Sequence, residues 1–469
     1  MKKTKIIATL GPSSASPKII EQMMLAGMNV ARLNFSHGDY KNHEALIKII
    51  RKVSVKLNQP IAIIQDLHGP KVRVGNLQKP IDVKVGDKVT IGEDFNMDYD
   101  VSPWVKPNQR LLIEDGLIEL NILKVGKPTT KGGVGKIYLQ AMTAGKIQAH
   151  KGINLPRTKL RFSNLTDKDL EDLKFGLKHN VDYVALSFVR SKKDIVTLKK
   201  YIKRFNPKGF FEPKIIAKIE TLEGVQKFDE ILSATDAVMV ARGDMGVELP
   251  ESEVPVYQKT FIQKCLKASK PVIVATQMLD SMIRNPRPTR AEVSDVANAV
   301  LDQTDCVMLS GETAFGKYPL KAVSEMAKII ETIEQSTLPE NKKATHLHVS
   351  SRSEAIADAV FEILRHVHLT AVVGATDSGF TARQIARIRP ASRIIMFTPK
   401  VKTYQQMSLV WGVESFMMSK VKTYEDLIDQ MHRLIQKYKL IKKGSQFILA
   451  TGEPIGQREN LNLVEIKTV

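Results

Sequence analysis

The chain has 469 residues, 43% of them hydrophobic and 26% charged, and this length predicts two or three domains rather than a single core. Its formal net charge is +20, but the lysines are spread along the sequence without a stripe of interleaved aromatic residues, so no nucleic-acid partner is expected. No window has the apolar length of a membrane span, and the two cysteines, Cys265 and Cys306, cannot form a disulfide framework; together these features predict a cytoplasmic protein with no membrane partner.

Short apolar segments recur along the chain, each ending in polar residues or glycine and most followed by helical periodicity. Runs without strict alternation suit strands that are buried on both faces, as in a parallel sheet covered by helices. Eight such units over about 250 residues predict a (β/α)8 TIM barrel. The segments are residues 4–9, 28–34, 61–66, 181–187, 214–220, 237–244, 271–276 and 306–310.

Two parts of the chain fall outside this repeat. Residues 72–155 carry short alternating runs with many glycines and prolines, which predicts a small β-barrel domain inserted as a lid between barrel segments 1–71 and 156–342. Residues 343–469 return to alternating strands and helices and predict a C-terminal α/β domain. Its strands are expected at residues 370–376, 393–398, 414–418 and 446–451.

Polar side chains gather at the C-terminal ends of the predicted barrel strands, where such barrels carry their active sites. In an extended strand the side chains of Lys218 and Glu220 point to the same face, so a cation and an anion lie next to each other on one side of the sheet. The next segment ends in a predicted glycine turn, where the Asp244 carboxylate can bind a hard divalent ion. This pattern predicts a Mg²⁺ site with a lysine beside it, and the alternative is a structural Lys–Glu pair. The polar residues at the strand ends are Arg32, Asn34, Ser36, Asp66, Lys218, Glu220, Asp244, Thr276 and Ser310.

A second candidate site follows the first strand of the C-terminal domain. Thr376, Ser378, Gly379 and Thr381 precede a basic helix, and backbone amides and hydroxyls at a helix N-terminus can bind an anion. The alternative is an ordinary N-cap formed by Ser378 or Thr381. The residues alone favour neither.

Several long motifs now identify a family that the chain resembles: the pyruvate kinases. The resemblance runs essentially from end to end and implies phosphoryl transfer from phosphoenolpyruvate to ADP, the last step of glycolysis, on a barrel with a lid and a C-terminal regulatory domain. It further implies a homotetramer and a sugar-phosphate or AMP effector at the loop of Thr376, Ser378, Gly379 and Thr381. The motifs are residues 4–12, 27–38, 151–156, 218–220, 240–246, 275–279, 285–292 and 308–314.

The same resemblance implies roles for individual residues. Glu220 and Asp244 would hold Mg²⁺ or Mn²⁺, Lys218 would stabilise charge on the phosphoryl group and the enolate, and Arg32 would clamp the phosphate. Substrate contacts are implied for Gly243 and Thr276, and Thr276 would help to protonate the enolate, with Ser310 and Glu312 as an alternative proton source through water. The implied nucleotide-binding residues are Asn34, Phe35, Ser36, His37, Arg73 and Lys151.

One departure from the family pattern concerns a monovalent cation. Many members bind K⁺ at the positions of four residues, Asn34, Ser36, Asp66 and Leu67. Here Lys71 stands where those members have Glu, and Leu67 and Val74 match the subgroup that dispenses with K⁺. Because a tethered ammonium supplies the same unit charge, K⁺ is not expected to be required.

A second enzyme class fits part of the pattern. A Mg²⁺ barrel with Lys218, Glu220 and Asp244 also suits a pyruvate aldolase or lyase, in which the metal stabilises an enolate without phosphoryl transfer. Such an enzyme would not need Arg32, Arg73, Lys151 or a lid.

Overall fold

The structure is a computed structural model that describes residues 2–114, 116–126, 135–337, 349–457 and 459–469. In the described residues the strands are β1 (Lys5–Thr9), β2 (Met28–Asn34), β3 (Ala62–Asp66), β4 (Ile81–Val83), β5 (Lys88–Ile91), β6 (Arg110–Ile113), β7 (Ile118–Val125), β8 (Ile137–Ala141), β9 (Gly145–Ile147), β10 (Ile153–Asn154), β11 (Tyr183–Leu186), β12 (Lys214–Ile219), β13 (Ala237–Ala241), β14 (Val272–Ala275), β15 (Cys306–Leu309), β16 (Ala371–Ala375), β17 (Arg393–Thr398), β18 (Val413–Met417), β19 (Gln446–Thr451) and β20 (Leu463–Thr468).

The helices of the same residues are α1 (Pro17–Leu25), α2 (Tyr40–Leu57), α3 (Asp167–Lys178), α4 (Lys192–Phe205), α5 (Leu222–Gln226), α6 (Phe228–Ala234), α7 (Arg242–Glu248), α8 (Val254–Lys267), α9 (Arg290–Leu301), α10 (Gly311–Ala314), α11 (Pro319–Thr337), α12 (Arg352–His366), α13 (Phe380–Arg387), α14 (Val401–Gln406) and α15 (Tyr424–Lys437). None of them is both long and apolar enough to cross a membrane.

Eight parallel strands close into a barrel in the order β1-β15-β14-β13-β12-β11-β3-β2, which confirms the predicted fold class. Ile7, Val30 and Ile216 pack in its interior, and a larger apolar cluster lies between the strands and the surrounding helices. Burial on both faces explains why the strands read as apolar runs. The predicted glycine turn after β13 is wrong, because residues 242–248 form α7.

The insert between β3 and α3 consists of β strands. A five-stranded antiparallel sheet has the order β10-β6-β7-β8-β5, and β4 pairs with β9 beside it. The insert has its own apolar core, and Arg73 pairs with Gly152, so the chain segments entering and leaving the insert lie side by side. A cleft of about 1260 Å³ separates it from the barrel, lined by Arg110 of the insert and by Asp244 and Thr276 of the barrel.

The C-terminal sheet has the order β18-β17-β16-β19-β20. β16 to β19 correspond to the predicted strands, whereas β20, an antiparallel edge strand, was not predicted. The predicted boundary between residues 342 and 343 lies outside the described residues, and the other domain boundaries stay predictions.

The C-terminal domain closes the N-terminal end of the barrel. Leu409 is fully buried and joins the cluster inside the barrel, where its carbonyl accepts a hydrogen bond from Cys306 Sγ at 3.2 Å. Tyr183 of β11 donates its hydroxyl proton to Gln406 O at 2.8 Å. Both cysteines are free and buried, as expected.

Candidate active site

A chain of ion pairs links three predicted residues at the C-terminal ends of β2, β3 and β12. Arg32 of β2 donates from Nε to Asp66 Oδ2 at 2.7 Å, and Lys218 Nζ of β12 lies 3.3 Å from Asp66 Oδ1. Asp66 is 1% exposed. Burial alone would raise the pKa of its carboxyl, but the charges of Lys218 and Arg32 hold that pKa below its ordinary value. Asp66 is therefore ionised and fixes the positions of both cations.

Lys218 also contacts the carboxylate predicted to share its face of the strand. Its Nζ lies 3.0 Å from Glu220 Oε1 and donates to Ser187 Oγ at 2.7 Å. Burial alone would lower the pKa of Lys218, yet the charges of Asp66 and Glu220 outweigh burial and raise it to about 12. Lys218 is consequently a permanent cation and cannot act as a proton donor near neutral pH.

Glu220 and Asp244 fit the chemistry of a divalent metal site. The Glu220 carboxylate is buried and accepts a hydrogen bond from Phe188 N at 2.6 Å. Burial raises its pKa, and the nearby charge of Asp244 raises it further although Lys218 opposes the shift. Two repelling carboxylates are relieved by a cation between them, and Mg²⁺ commonly takes one or two protein carboxylates and completes its shell with substrate and water. Within the described residues no group of three or more His, Cys, Asp or Glu side chains is arranged to hold a metal.

Lys71 lies beside this carboxylate pair. Its Nζ is 3.2 Å from Asp244 Oδ1, and its side chain passes so close to Gly152 that a Cβ there would lie 2.7 Å from Lys71 Cε. The sequence prediction instead placed the ammonium with Asn34, Ser36 and Asp66. The structure thus brings the lysine to the predicted metal carboxylate.

Thr276 lies in a left-handed backbone conformation directly after β14, with φ of 70°. Its Oγ1 accepts from Gly243 N at 2.8 Å and donates to Ala275 O at 2.6 Å. Arg242 Nη2 donates a hydrogen bond to Thr276 O at 2.8 Å, and the Arg242 guanidinium forms an ion pair with Asp295. Since the Thr276 proton already has an acceptor, the hydroxyl serves here to orient the first turn of α7.

The predicted alternative proton source is arranged differently. Ser310 follows β15, and its backbone N–H donates to Glu312 Oε2 at 2.7 Å. Leu279 N donates to the other oxygen of the same carboxyl at 3.1 Å. Burial raises the pKa of Glu312.

The predicted nucleotide-binding residues form two groups. Asn34 is the last residue of β2, and its Oδ1 accepts from Ser36 N in the following turn at 3.2 Å. His37 of the same turn is exposed. Arg73 and Lys151 lie where the insert joins the barrel; Arg73 donates to His150 O at 2.9 Å, and Lys151 is paired with Glu114 of the insert.

Two predicted residues present no side chain to a ligand. Phe35 is 2% exposed and stacks on His43 with ring centroids 4.2 Å apart. Leu67 is also buried, and its carbonyl accepts from Ser187 Oγ at 2.8 Å. Only backbone atoms of Phe35 and Leu67 remain for ligand contacts.

Three polar residues around the site escaped the sequence analysis. Ser187 follows β11 and accepts from Lys218, while Thr9 ends β1 and accepts from Arg32 at 2.9 Å. His68 Nδ1 lies 2.7 Å from Ser36 Oγ, and burial together with the charge of Arg73 lowers the pKa of His68 to about 4. The position of Ser187 and Thr9 at strand ends was a usable signal, whereas the His68 contact depends on the folded loop.

The predicted effector loop lies between β16 and α13. Thr376, Ser378 and Thr381 line a pocket that also contains Lys420. The N-cap of α13 is Gly379, at φ of 76°, and no side chain caps the helix. The alternative of a cap formed by Ser378 or Thr381 is therefore wrong.

A closed barrel whose carboxyl end gathers partly buried cations and a carboxylate pair beside an inserted domain is the arrangement of an enzyme that acts on an anionic substrate. Two family models match the chain: the pyruvate kinase barrel domain over residues 1–323 and the pyruvate kinase alpha/beta domain over residues 354–467. The chain belongs to the pyruvate kinase family.

Individual proteins agree with this assignment. A pyruvate kinase of Staphylococcus saprophyticus is 41% identical over 483 residues, covering 100% of this chain and 81% of the relative. One of Sporosarcina psychrophila is 39% identical over 484 residues with the same coverage. A crystal structure of a pyruvate kinase from Cryptosporidium parvum is 35% identical, with a TM-score of 0.90, and covers 100% of this chain and 96% of that chain. The predicted enzyme class, a phosphotransferase, is confirmed over the lyase alternative.

Proposed function

We propose that the chain transfers the phosphoryl group of phosphoenolpyruvate to ADP, giving pyruvate and ATP. The observation that carries this proposal is the Arg32–Asp66–Lys218–Glu220 chain of charges at the barrel's carboxyl end, in which both carboxylates are buried. Phosphoryl transfer needs fixed positive charge more than covalent help, and here one ionised aspartate holds two cations ready.

In this mechanism the residues of the chain position the substrate and stabilise charge. Arg32 binds the phosphoryl oxygens through its fork of N–H donors, and Lys218 stabilises the phosphoryl group and then the enolate oxygen. Gly243 lets the backbone approach the substrate carboxylate. Thr276 keeps the first turn of α7 in place, and the proton that converts enolate to pyruvate reaches the methylene carbon through water near Ser310 and Glu312.

Glu220 and Asp244 would hold the divalent cation, Mg²⁺ or Mn²⁺, which neutralises charge on the substrate oxygens. For Asp244 to hold that cation, the Lys71 ammonium, now 3.2 Å from Asp244 Oδ1, would turn towards the substrate. Lys71 then remains in the pocket as a positive charge.

ADP would bind between the turn of Asn34, Ser36 and His37 and the base of the insert. Lys151 is held away by Glu114 in this structure, and closure of the lid would exchange that partner for the nucleotide phosphates. Arg73 adds a second cation on the same side, and Phe35 contributes backbone only.

We also propose that no monovalent cation is required. Asp66, one of the predicted K⁺ ligands, is already neutralised by Arg32 and Lys218, and Lys71 adds charge nearby. Initial rates in K⁺-free and NH₄⁺-free Tris buffer should be at least about half of those with 100 mM KCl, because charge repulsion by Lys71 disfavours a second cation. A large rise on adding KCl would contradict this part of the proposal.

For regulation we propose that an effector phosphate binds the loop of Thr376, Ser378, Gly379 and Thr381. Support comes from the uncapped N-terminus of α13, whose N–H groups favour an anion. Titration calorimetry with fructose 1,6-bisphosphate, ribose 5-phosphate, AMP and glucose 6-phosphate would identify the effector or show that none of them binds. A homotetramer is proposed from family membership, and sedimentation velocity tests it.

The catalytic proposal is tested by measuring pyruvate with lactate dehydrogenase and NADH. Pyruvate should form from phosphoenolpyruvate only when ADP and Mg²⁺ are both present, with ATP produced in equal amount. Pyruvate that appears without ADP would indicate phosphatase or lyase chemistry instead.

A further inference from the structure

A small cavity lies where the N-terminal end of the barrel meets the C-terminal domain, directly behind the predicted effector loop. The barrel contributes Tyr183, Lys214 and Asp236, and the C-terminal domain contributes Ser378, Gly379 and Arg383. The free volume of the cavity is about 10 Å³, which is room for one water molecule or one small ion.

Two cations meet in this cavity with few acceptors. Lys214 Nζ donates to Ser378 O at 3.1 Å, and Arg383 Nη1 donates to the same oxygen at 3.2 Å. Within the described residues no carboxylate lies within 4.0 Å of either cation, and Asp236 Oδ2 already accepts from Ile215 N at 2.9 Å. A lysine and an arginine together have far more N–H donors than one carbonyl can satisfy.

The pKa shifts of Lys214 and Arg383 also favour an anion in this cavity. Burial and the neighbouring Arg383 lower the pKa of Lys214 to about 7, and burial also lowers the pKa of Arg383, with Asp236 opposing both shifts only in part. Both side chains are partly buried, and like charges held together there repel each other unless an opposite charge joins them. One negative charge in the cavity would compensate the excess.

We propose that this cavity binds a halide-sized monovalent anion, chloride, with Lys214 and Arg383 as its ligands. The small free volume suits a monatomic ion, and two cationic side chains, Lys214 and Arg383, face one neighbouring carboxylate, Asp236. The anion ties the loop that carries Ser378 to the start of β12, the strand whose other end carries Lys218. This site is separate from the catalytic centre and does not depend on the proposed reaction.

Bromide diffraction tests the site directly. Crystals of the full chain, grown with sodium gluconate as the only salt, are soaked in sodium bromide and measured at the bromine absorption edge. An anomalous peak in contact with Lys214 Nζ and the Arg383 guanidinium is expected. A cavity that holds water or nothing, with no anomalous signal, would overturn the proposal.

Thermal unfolding supplies a second, independent readout. At equal ionic strength the Tm should be about 2 °C higher in sodium chloride than in sodium gluconate, because an anion bound only by the folded state stabilises it and gluconate is too large to enter. Lys214→Met and Arg383→Gln should abolish the difference between the salts. Lys400→Met, which removes a cation paired with Asp377 of the same loop, should keep it.

These variants distinguish a specific site from general salt effects. Equal Tm values in the two salts for the unmodified chain would reject the proposal. A chloride gain that persists in both Lys214→Met and Arg383→Gln would assign the effect to other surfaces and would also reject it. If one of these variants does not fold, the other variant and the bromide map still decide.

Discussion

Replacing Lys218 with methionine tests the central assignment. The ammonium lies 3.0 Å from Glu220 Oε1 and 3.3 Å from Asp66 Oδ1, and its raised pKa keeps it charged throughout catalysis. Methionine has a similar length but no charge. Loss of one preorganised charge-stabilising group costs about 100-fold or more in kcat, equivalent to about 2.7 kcal/mol of transition-state stabilisation. The KM for phosphoenolpyruvate should change much less, because Arg32, which is proposed to bind the phosphoryl group, remains in place.

The assay measures kcat and KM with lactate dehydrogenase, and proton NMR in D₂O follows exchange of the pyruvate methyl protons. Both kcat and the exchange rate should fall, because the proposed role of Lys218 is to stabilise the enolate as well as the phosphoryl group. Lys214→Met, four residues earlier on the same strand, is the matched control and should keep the kcat of the unmodified chain. A folded Lys218→Met variant with kcat within about threefold of the unmodified chain would refute the reasoning.

Three further predictions follow from the site. Thr276→Val should lower kcat by about 10-fold to 100-fold and leave the Mg²⁺ requirement unchanged, since it removes a positioning hydroxyl and no metal ligand; a kinetic comparison at saturating Mg²⁺ shows this. Glu220→Gln should raise the Mg²⁺ concentration needed for half-maximal rate by at least about tenfold, whereas an unchanged Mg²⁺ dependence would remove Glu220 from the metal site. Burial raises the pKa of Glu248 from 4.5 to about 7, so the stability that its neutral carboxyl contributes is full below pH 4.5 and lost as the pH rises through 7. Glu248→Gln, uncharged at every pH, should therefore gain Tm over the unmodified chain between pH 5 and pH 8, by about 3 °C at the upper end, and a constant difference in Tm would contradict the assignment.

The barrel was predictable because its strands are buried on both faces. Segments such as Ala237–Ala241 and Val272–Ala275 are unbroken apolar runs, and the number of strand segments matches a closed barrel. β20 escaped prediction because Leu463–Thr468 is a partly exposed edge strand in which charged residues interrupt the pattern. α7 escaped because two glycines within five residues oppose helix formation, and only the surrounding structure, with Thr276 holding Gly243, overrides that preference.

The contacts in the active site also include some that the sequence predicts and others that it does not. The Lys218–Glu220 contact follows from strand alternation alone and was predicted. The Lys71–Asp244 contact joins residues 173 positions apart, one at the base of the insert and one on α7, and no local pattern encodes it. Phe35 shows the limit of transferring whole motifs, since its neighbours Asn34 and Ser36 face the turn while its own ring packs on His43.

The charges at the site also constrain how ligands bind. Three cations, Arg32, Lys218 and Lys71, oppose three carboxylates, so these six paired side chains are together formally neutral. The carboxylates are Asp66, Glu220 and Asp244. At the proposed site, a divalent cation arriving alone would meet the Lys71 ammonium at Asp244, and an anionic substrate arriving alone would meet Glu220 and Asp244. With both ligands present, Lys71 would be attracted to the negative charge of the substrate, and Glu220 and Asp244 would hold the cation. Each ligand therefore removes the repulsion that opposes the other, and metal and substrate should bind with positive coupling.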